Sequence, residues 1–486
     1  MKKPNIVFIL TDDMGAWALG RETPEIITPH LDRLSREGTY FTNFFCASPV
    51  CSPARCSLVT GRLPSAHGVH DWLRSGNVTK SDLPASMRPS FPDDGVAVDY
   101  LAGIPTCFDT LREAGYHMGF VGKWHMGDSM RPREGFDEWT VLLRGGCEYM
   151  HPDVMADGKP QFLDRYVTDF FTERAVAYLD RRPAEPFLLS LHYTAPHTPW
   201  GHGQHREDIL RLYDGCPFLC HPFEKLHPDQ VKTCDVGDTE ERRKYLLKGY
   251  YAAITAVDEG VGRLMEALRR NGLEKDTVVI FAGDNGMNLG QHGIWGKGNG
   301  TYPQNMYDTS VKVPFFVWGP GRVREGAVVD NLVSHYDVLP TLKDFLGEEA
   351  GSGAEEKLPG ESFLRDLTEG RGQVERKLCI LDEYGPVRMI RSRRYKYVHE
   401  GIRNGHQLYD LLLDPGERTN RVSDPAYRGI RDELSAELEE AFRAYTLAPF
   451  DGSKTRPTGS GQLGPIREEG DDVFHPYLAY YRDKTE

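Results

Sequence analysis

Four short apolar runs set the pattern of this chain. Asn5 to Leu10, His117 to Gly122, Phe187 to Leu191 and Thr277 to Ala282 show no period-two alternation, and each leads into polar residues. Continuous runs of this length suit strands buried on both faces of a parallel sheet. Between them come helical patterns, clearest where Leu247, Tyr250, Ile254, Val257, Val261, Leu264 and Leu268 recur until Asn271-Gly272 ends the run. Strand and helix therefore alternate, which predicts a doubly wound α/β domain.

The rhythm fades after the Gly/Glu-rich stretch Gly347 to Lys357. Leu378 to Leu381, Met389 to His399 and Gln407 to Leu412 read as strands, with a turn region from Gly401 to His406. A helix from about Arg428 to Tyr445 follows, with Ile430, Leu434, Leu438 and Phe442 on one face. We therefore expect two domains, residues 1–375 and a smaller α+β domain with an antiparallel sheet over residues 376–486. Asp71 to Ile104 and Trp200 to Asp238 read as insertions that shape access to a site or serve as packing or oligomer contacts. The tail ends in Phe474, Tyr477, Leu478, Tyr480 and Tyr481, and aromatics there imply docking, as a lid or across a dimer. The sequence leaves the oligomeric state open.

The polar residues that end the four strands carry the chemistry. In open parallel sheets, ligands bind beyond the carboxyl ends of the strands, where the loops converge. Asp12 and Asp13 follow the first run and Asp284 and Asn285 the last, an all-oxygen set of hard donors suited to Ca²⁺ or Mg²⁺. Arg55, Lys123, His125, His197 and Lys297 would surround that ion with positive charge and select an anion.

Composition sharpens this picture. The 486 residues carry a formal charge of −14, which gives no bulk reason to bind nucleic acid or an anionic membrane. No apolar run is long enough to span a bilayer, and Ile6 to Leu10 is too short for a signal-peptide core. A cytoplasmic location is expected from the chain as given, with a trimmed leader and a periplasmic or secreted location left open. Nine scattered cysteines do not form a disulfide scaffold or a zinc-binding pattern, so most read as buried thiols.

Cys51 stands apart. Cys51-Ser52-Pro53-Ala54-Arg55 followed by Thr60-Gly61-Arg62 resembles the signature of the sulfatase family, which a maturation enzyme reads to convert the cysteine to formylglycine. The resemblance continues through Asp12-Asp13, Gly122-Lys123-Trp124-His125, Ala195-Pro196-His197-Thr198-Pro199, Gly283-Asp284-Asn285-Gly286, His292-Gly293 and Gly296-Lys297. It resumes in the second domain at Leu408-Tyr409-Asp410 and Asp414-Pro415-Gly416-Glu417. Departures are mild: Val59 stands where Leu is usual, and Gln291 where an acidic residue is common.

The resemblance implies an alkaline-phosphatase-like fold, a mixed sheet with helices on both faces. It implies one calcium, or magnesium, held by Asp12, Asp13, Asp284, Asn285 and the modified Cys51. Arg55 and His125 would hold the formylglycine hydrate, while Lys123, His197 and Lys297 bind the sulfate. One hydroxyl of the hydrate would attack sulfur, His197 or Lys297 would protonate the leaving alcohol, and His125 would deprotonate the second hydroxyl to expel sulfate. The expected reaction is hydrolysis of a sulfate monoester on a small or chain-end molecule, a sulfated carbohydrate or an aryl sulfate. His70, Trp72, Arg74 and His292 are candidates for the substrate rim. The rival readings are a phosphate or phosphonate ester hydrolase of the same superfamily, and a non-catalytic sulfoglycan-binding protein should Cys51 stay unconverted.

Overall fold

The computed structural model describes residues 3–92, 95–184, 186–347, 357–370, 379–381, 387–401, 403–455 and 457–475. Its first unit contains, in chain order, β1 (Asn5–Thr11), α1 (Pro29–Glu37), β2 (Thr39–Phe41), α2 (Cys51–Thr60), β3 (His117–Gly122), β4 (Phe136–Leu142), β5 (Asp153–Ala156), β6 (Lys159–Phe162), α3 (Val167–Asp180), β7 (Phe187–His192), α4 (Glu240–Arg270), β8 (Thr277–Gly283), β9 (Phe315–Trp318), β10 (Ala327–Val329) and α5 (Val338–Leu346). Ten strands form one sheet in the order β10-β2-β9-β8-β1-β7-β3-β4-β5-β6. The five central strands, β8 to β4, are parallel. Antiparallel β9 and β5 flank them, so the sheet is mixed, as expected.

The apolar runs are continuous because both faces of the sheet are covered. Val7 and Ile9 of β1 join Leu189, Leu191, Val279 and Phe281 beneath α3 and α4. Ile6 and Leu188 face the other way, against Cys56 and Val59 of α2 and Phe108 and Leu111 of a short helix after the first insertion. Burying each large side chain stabilises by roughly 1.5–3 kcal/mol, and this drives the stack.

Helix α4 runs 31 residues and begins at Thr239, whose side chain accepts from the Arg242 N–H. Mid-helix, the Asp258 carboxylate accepts from the Leu31 N–H at 2.7 Å and the His30 N–H at 3.3 Å, closing the N-terminus of α1.

The second sheet is four-stranded and antiparallel, in chain order β11 (Cys379–Leu381), β12 (Val387–Arg391), β13 (Tyr395–Glu400) and β14 (Gln407–Asp410). Helix α6 (Arg428–Tyr445) lays Leu434, Leu438 and Phe442 on Ile390, Tyr397 and Leu408. The single strand expected over Met389 to His399 is two strands. Ser392 turns the chain by pairing its N–H and hydroxyl with the Tyr395 carbonyl at 2.8 and 3.2 Å. The expected boundary between residues 375 and 376 and the tail aromatics from Tyr477 onward lie outside the described residues. Among the described residues no helix is long and apolar enough to cross a membrane.

Burial pushes the Asp258 carboxyl up to about 7, against the pull of the two backbone N–H groups. The folded state then retains a proton that the unfolded chain releases near its ordinary value of 3.8, so stability falls as pH rises from about 4 to about 7 and is flat above. Asp258→Asn keeps an acceptor without the charge. Its Tm relative to wild type should rise by on the order of 3 °C between pH ~4.5 and pH ~7.5; a constant difference would refute the assignment.

Candidate active site at the strand ends

Parallel register brings the site together. Thr11 pairs with Gly283 and Leu10 with His192, while His192 also pairs with Gly122. The next residues on each strand, Asp12-Asp13, Asp284-Asn285 and Lys123, therefore leave the sheet at one level. Asp13 and His125 turn there with positive φ, 62° and 51°. The Asp13 N–H donates to Asp284 Oδ1 at 3.0 Å, and Asn285 Nδ2 donates to Asp13 Oδ1 at 2.9 Å.

Cys51 opens α2 as its first residue, where the unpaired N–H groups of the helix and its dipole favour an anion. One turn on, Arg55 lies on the same face, since residues i and i+4 stack. It is fully buried and donates through Nε to Asp284 Oδ2 at 2.9 Å and through Nη1 to the Lys123 carbonyl at 2.7 Å. Lys123 Nζ donates to Asp12 Oδ2 at 2.6 Å, and Lys297 Nζ to Asp13 Oδ1 at 2.6 Å while sitting 3.6 Å from Cys51 Sγ.

Burial opposes ionisation of the Cys51 thiol, yet Lys123 and Lys297 prevail and hold it below its ordinary value. Burial likewise opposes the Asp13 charge, and Lys297, His197 and Lys123 outweigh it and hold that carboxylate well below the usual range. Asp12 and Asp284 go the other way. Burial raises Asp12 despite Lys123, and burial with the Asp12 charge pushes Asp284 up to about 6. Two acceptors here, Asp12 Oδ1 and Asn285 Oδ1, are buried with no hydrogen-bond partner. Orphaned hard oxygens beside three buried carboxylates are the donor set a divalent cation satisfies. The residues present fit calcium or magnesium.

The two histidines end with one nitrogen committed. His125 Nε2 donates to the Leu73 carbonyl at 3.1 Å, leaving Nδ1 without a partner. His197 Nδ1 donates to the Thr198 carbonyl at 2.7 Å, leaving Nε2 3.7 Å from Asp13 Oδ2. Burial, reinforced by Lys123, holds His125 neutral well below its ordinary range. Burial also lowers His197, while Asp13 pulls it back.

These groups open onto a cavity of about 490 Å³ whose wall includes Asp13, Cys51, His125, His197 and Lys297. Asp12, Arg55, Lys123, Asp284 and Asn285 lie buried behind it. Of the four rim candidates, Trp72 and Arg74 are on the wall. His70 is instead fully buried beside the Phe474 ring, and His292 stacks on Tyr307 at 3.8 Å, so neither reaches the wall. Sequence reasoning missed Asn77, Arg144, Glu148, Thr233 and Asn299, which also line it, and the pair Gly145-Gly146. A Cβ at Gly145 would stand 2.1 Å from His125 Nε2, so the glycine is what lets the imidazole approach Leu73. The available signal was the Gly-Gly pair soon after strand β4.

The sulfatase family model matches residues 4–348. The chain belongs to the sulfatase family. As a sulfatase it is a sulfuric ester hydrolase, and a second model, N-sulphoglucosamine sulphohydrolase, C-terminal, matches residues 290–444. An ulvan-active sulfatase of Formosa agariphila is 27% identical over 460 residues, covering 90% of this sulfatase and 81% of that protein. An N-acetylglucosamine-6-O-sulfatase of Bacteroides thetaiotaomicron is 25% identical, with 91% and 87% covered. Among solved structures, one in complex with its substrate D-glucosamine-2-N,6-O-disulfate superposes with a TM-score of 0.73 at 23% identity, over 91% of this sulfatase and 98% of that chain. A phosphonate monoester hydrolase from Silicibacter pomeroyi shares the fold, with a TM-score of 0.68 at 21% identity over 92% and 97%.

Gly145→Ala should displace the His125 ring and lower the kcat of this sulfatase by about 10²-fold with little change in KM. An unchanged kcat would show that the ring position is immaterial.

Proposed function

We propose that this sulfatase acts through Cys51 as formylglycine, with one calcium or magnesium ion, on the sulfate monoester of a carbohydrate. The observation that carries the reading is the seat of Cys51: first residue of a buried helix, 3.6 Å from Lys297 Nζ, open to the cavity. Asp12, Asp13, Asp284, Asn285 and the converted residue 51 would hold the ion, which supplies Lewis acidity towards the nucleophilic oxygen. The converted residue would be a hydrated aldehyde, one hydroxyl of which would bond to sulfur as the S–O bond to the alcohol breaks. Loss of the other hydroxyl's proton would re-form the aldehyde as its C–O bond to sulfate breaks, so sulfate would leave by elimination without attack of water.

The remaining work falls to side chains. Arg55, fixed between Asp284 and the Lys123 carbonyl, neutralises charge at residue 51. Lys123 and Lys297 bind the sulfate oxygens, and each well-aimed cation contributes on the order of 3 kcal/mol as charge builds up. Asp13 and Cys51 hold Lys297 charged against the effect of burial, which favours His197 as the proton donor to the leaving alcohol. His197 donates from Nε2, because Nδ1 is engaged with Thr198. His125 takes the last proton on Nδ1, the nitrogen left without a partner. Maturation by a formylglycine-generating enzyme is the partner this chemistry requires.

A carbohydrate is favoured by the cavity's size, within the usual range for small-ligand sites, and by the indole of Trp72 beside Arg74 on its wall. Curated relatives named for ulvan and N-acetylglucosamine-6-sulfate point the same way.

Peptide mass spectrometry of protein from its native host should find the aldehyde in place of the Cys51 thiol; an intact thiol in active protein would sink the mechanism. Asp284→Ala should remove the bound ion, measured by elemental analysis, and lower turnover by at least about 10³-fold. Full metal content in that variant would refute the ligand assignment.

A further inference from the structure

The last described segment, residues 457–475, lies beyond residue 444, where the second of the two family-model matches ends, and it runs along the cavity wall. Leu73 and Gln462 are bridged in parallel. The Gln462 N–H donates to the Trp72 carbonyl at 2.8 Å, and the Arg74 N–H donates to the Gln462 carbonyl at 3.0 Å. The Ser75 hydroxyl donates to the Leu463 carbonyl. The fully buried Gln462 side chain adds three bonds: Oε1 accepts from the His70 N–H at 2.9 Å, and Nε2 donates to the Gly68 and Gly464 carbonyls at 3.0 Å each.

An extended chain points successive peptide groups to opposite sides. The Trp72 carbonyl and the Arg74 N–H face the tail, so both groups of Leu73 face the site. The Leu73 N–H donates to Ser52 Oγ at 3.1 Å, next to Cys51, and the Leu73 carbonyl accepts from His125 Nε2 at 3.1 Å. The bond that leaves His125 Nδ1 free thus depends on a wall whose other edge is held by the tail. On the same edge Gly461 has φ +104°, and a Cβ there would stand 2.9 Å from Arg74 Cβ and 3.1 Å from the Trp72 ring.

We propose that the tail is a brace for the active site, in which Gln462 is a positioning residue for His125, acting through Leu73, and Gly461 seats Trp72 and Arg74 on the substrate side. The first part rests on the assignment of His125 as the base. It places a determinant of rate and of substrate fit in a segment beyond both family-model matches.

The test is a double-mutant cycle on the full-length, matured enzyme, with 4-nitrophenyl sulfate as substrate and rates normalised to aldehyde content. Gln462→Ala should lower kcat about tenfold with KM within about twofold, and should have no further effect in a His125→Ala background. Gly461→Ala should raise KM severalfold instead. A slow His125→Ala beside a Gln462→Ala at the wild-type rate, or equal losses from Gln462→Ala in both backgrounds, overturns the brace alone. A His125→Ala at the wild-type rate overturns the base assignment and the Gln462 route with it. Should Gln462→Ala fail to fold, Ser75→Ala removes one tether by deleting a single oxygen, and the same criteria apply.

Discussion

Six charged side chains share one buried volume at the strand ends, and none of them is tolerable there alone. Asp12, Asp13 and Asp284 face Arg55, Lys123 and Lys297, all buried, so three negative charges meet three positive ones. Taking a charge out of water costs several kcal/mol, and only pairing with good hydrogen bonds offsets it. This neutrality lets the rest of the site exist. A divalent ion would add two positive charges, which one sulfate ester and an ionised nucleophile together balance. The strand register, the first turn of α2 and the long side chain of Lys297 all serve to keep these charges within a few ångströms of one another.

That local balance also explains how an acidic protein binds an anion. The formal charge of −14 spreads over a surface screened within about 8–10 Å at physiological salt, whereas the buried cations at the site act at contact distance. Attraction is therefore confined to one small pocket. Such an arrangement suits a single sulfate on a small or chain-end molecule and gives an extended polyanion little hold elsewhere.

The small C-terminal unit contributes to the site from outside it. Lys396 and Glu417, both buried, pair with each other, and each also reaches Asp308, the former through Oδ1 and the latter through the backbone N–H. Asp308 opens the short helix that carries Ser310, whose hydroxyl donates to Asn305 Oδ1, and Asn305 Nδ2 donates to the Lys297 carbonyl at 3.0 Å. The loop of Lys297 is thus tied to the second sheet, and the wall segment around Leu73 to the tail.

The four apolar runs were legible as strands because residues buried on both faces need no alternation, and that signal is local. Much of the charged cluster at the strand ends was legible for the same reason: Asp12, Lys123 and Asp284 directly follow strands, so their place was implied by their neighbours in the chain. Where two strands were read as one, as in Met389 to His399, the hairpin turn at Ser392 lies in the polar run Arg391-Ser392-Arg393-Arg394, which holds no Gly or Pro to mark a turn. His70 was misplaced as a rim residue because chain proximity to Trp72 says nothing about which side of the wall a ring takes. The sequence by itself therefore singled out Cys51, the charged residues and the strands that lead to them. Tertiary structure alone decided which groups face the cavity, that Gly145 makes room for His125, and that Gln462, 411 residues after Cys51 in the chain, supports the wall beside it. Those are contacts between distant segments, set by packing and hydrogen bonding in three dimensions, and no local pattern encodes them.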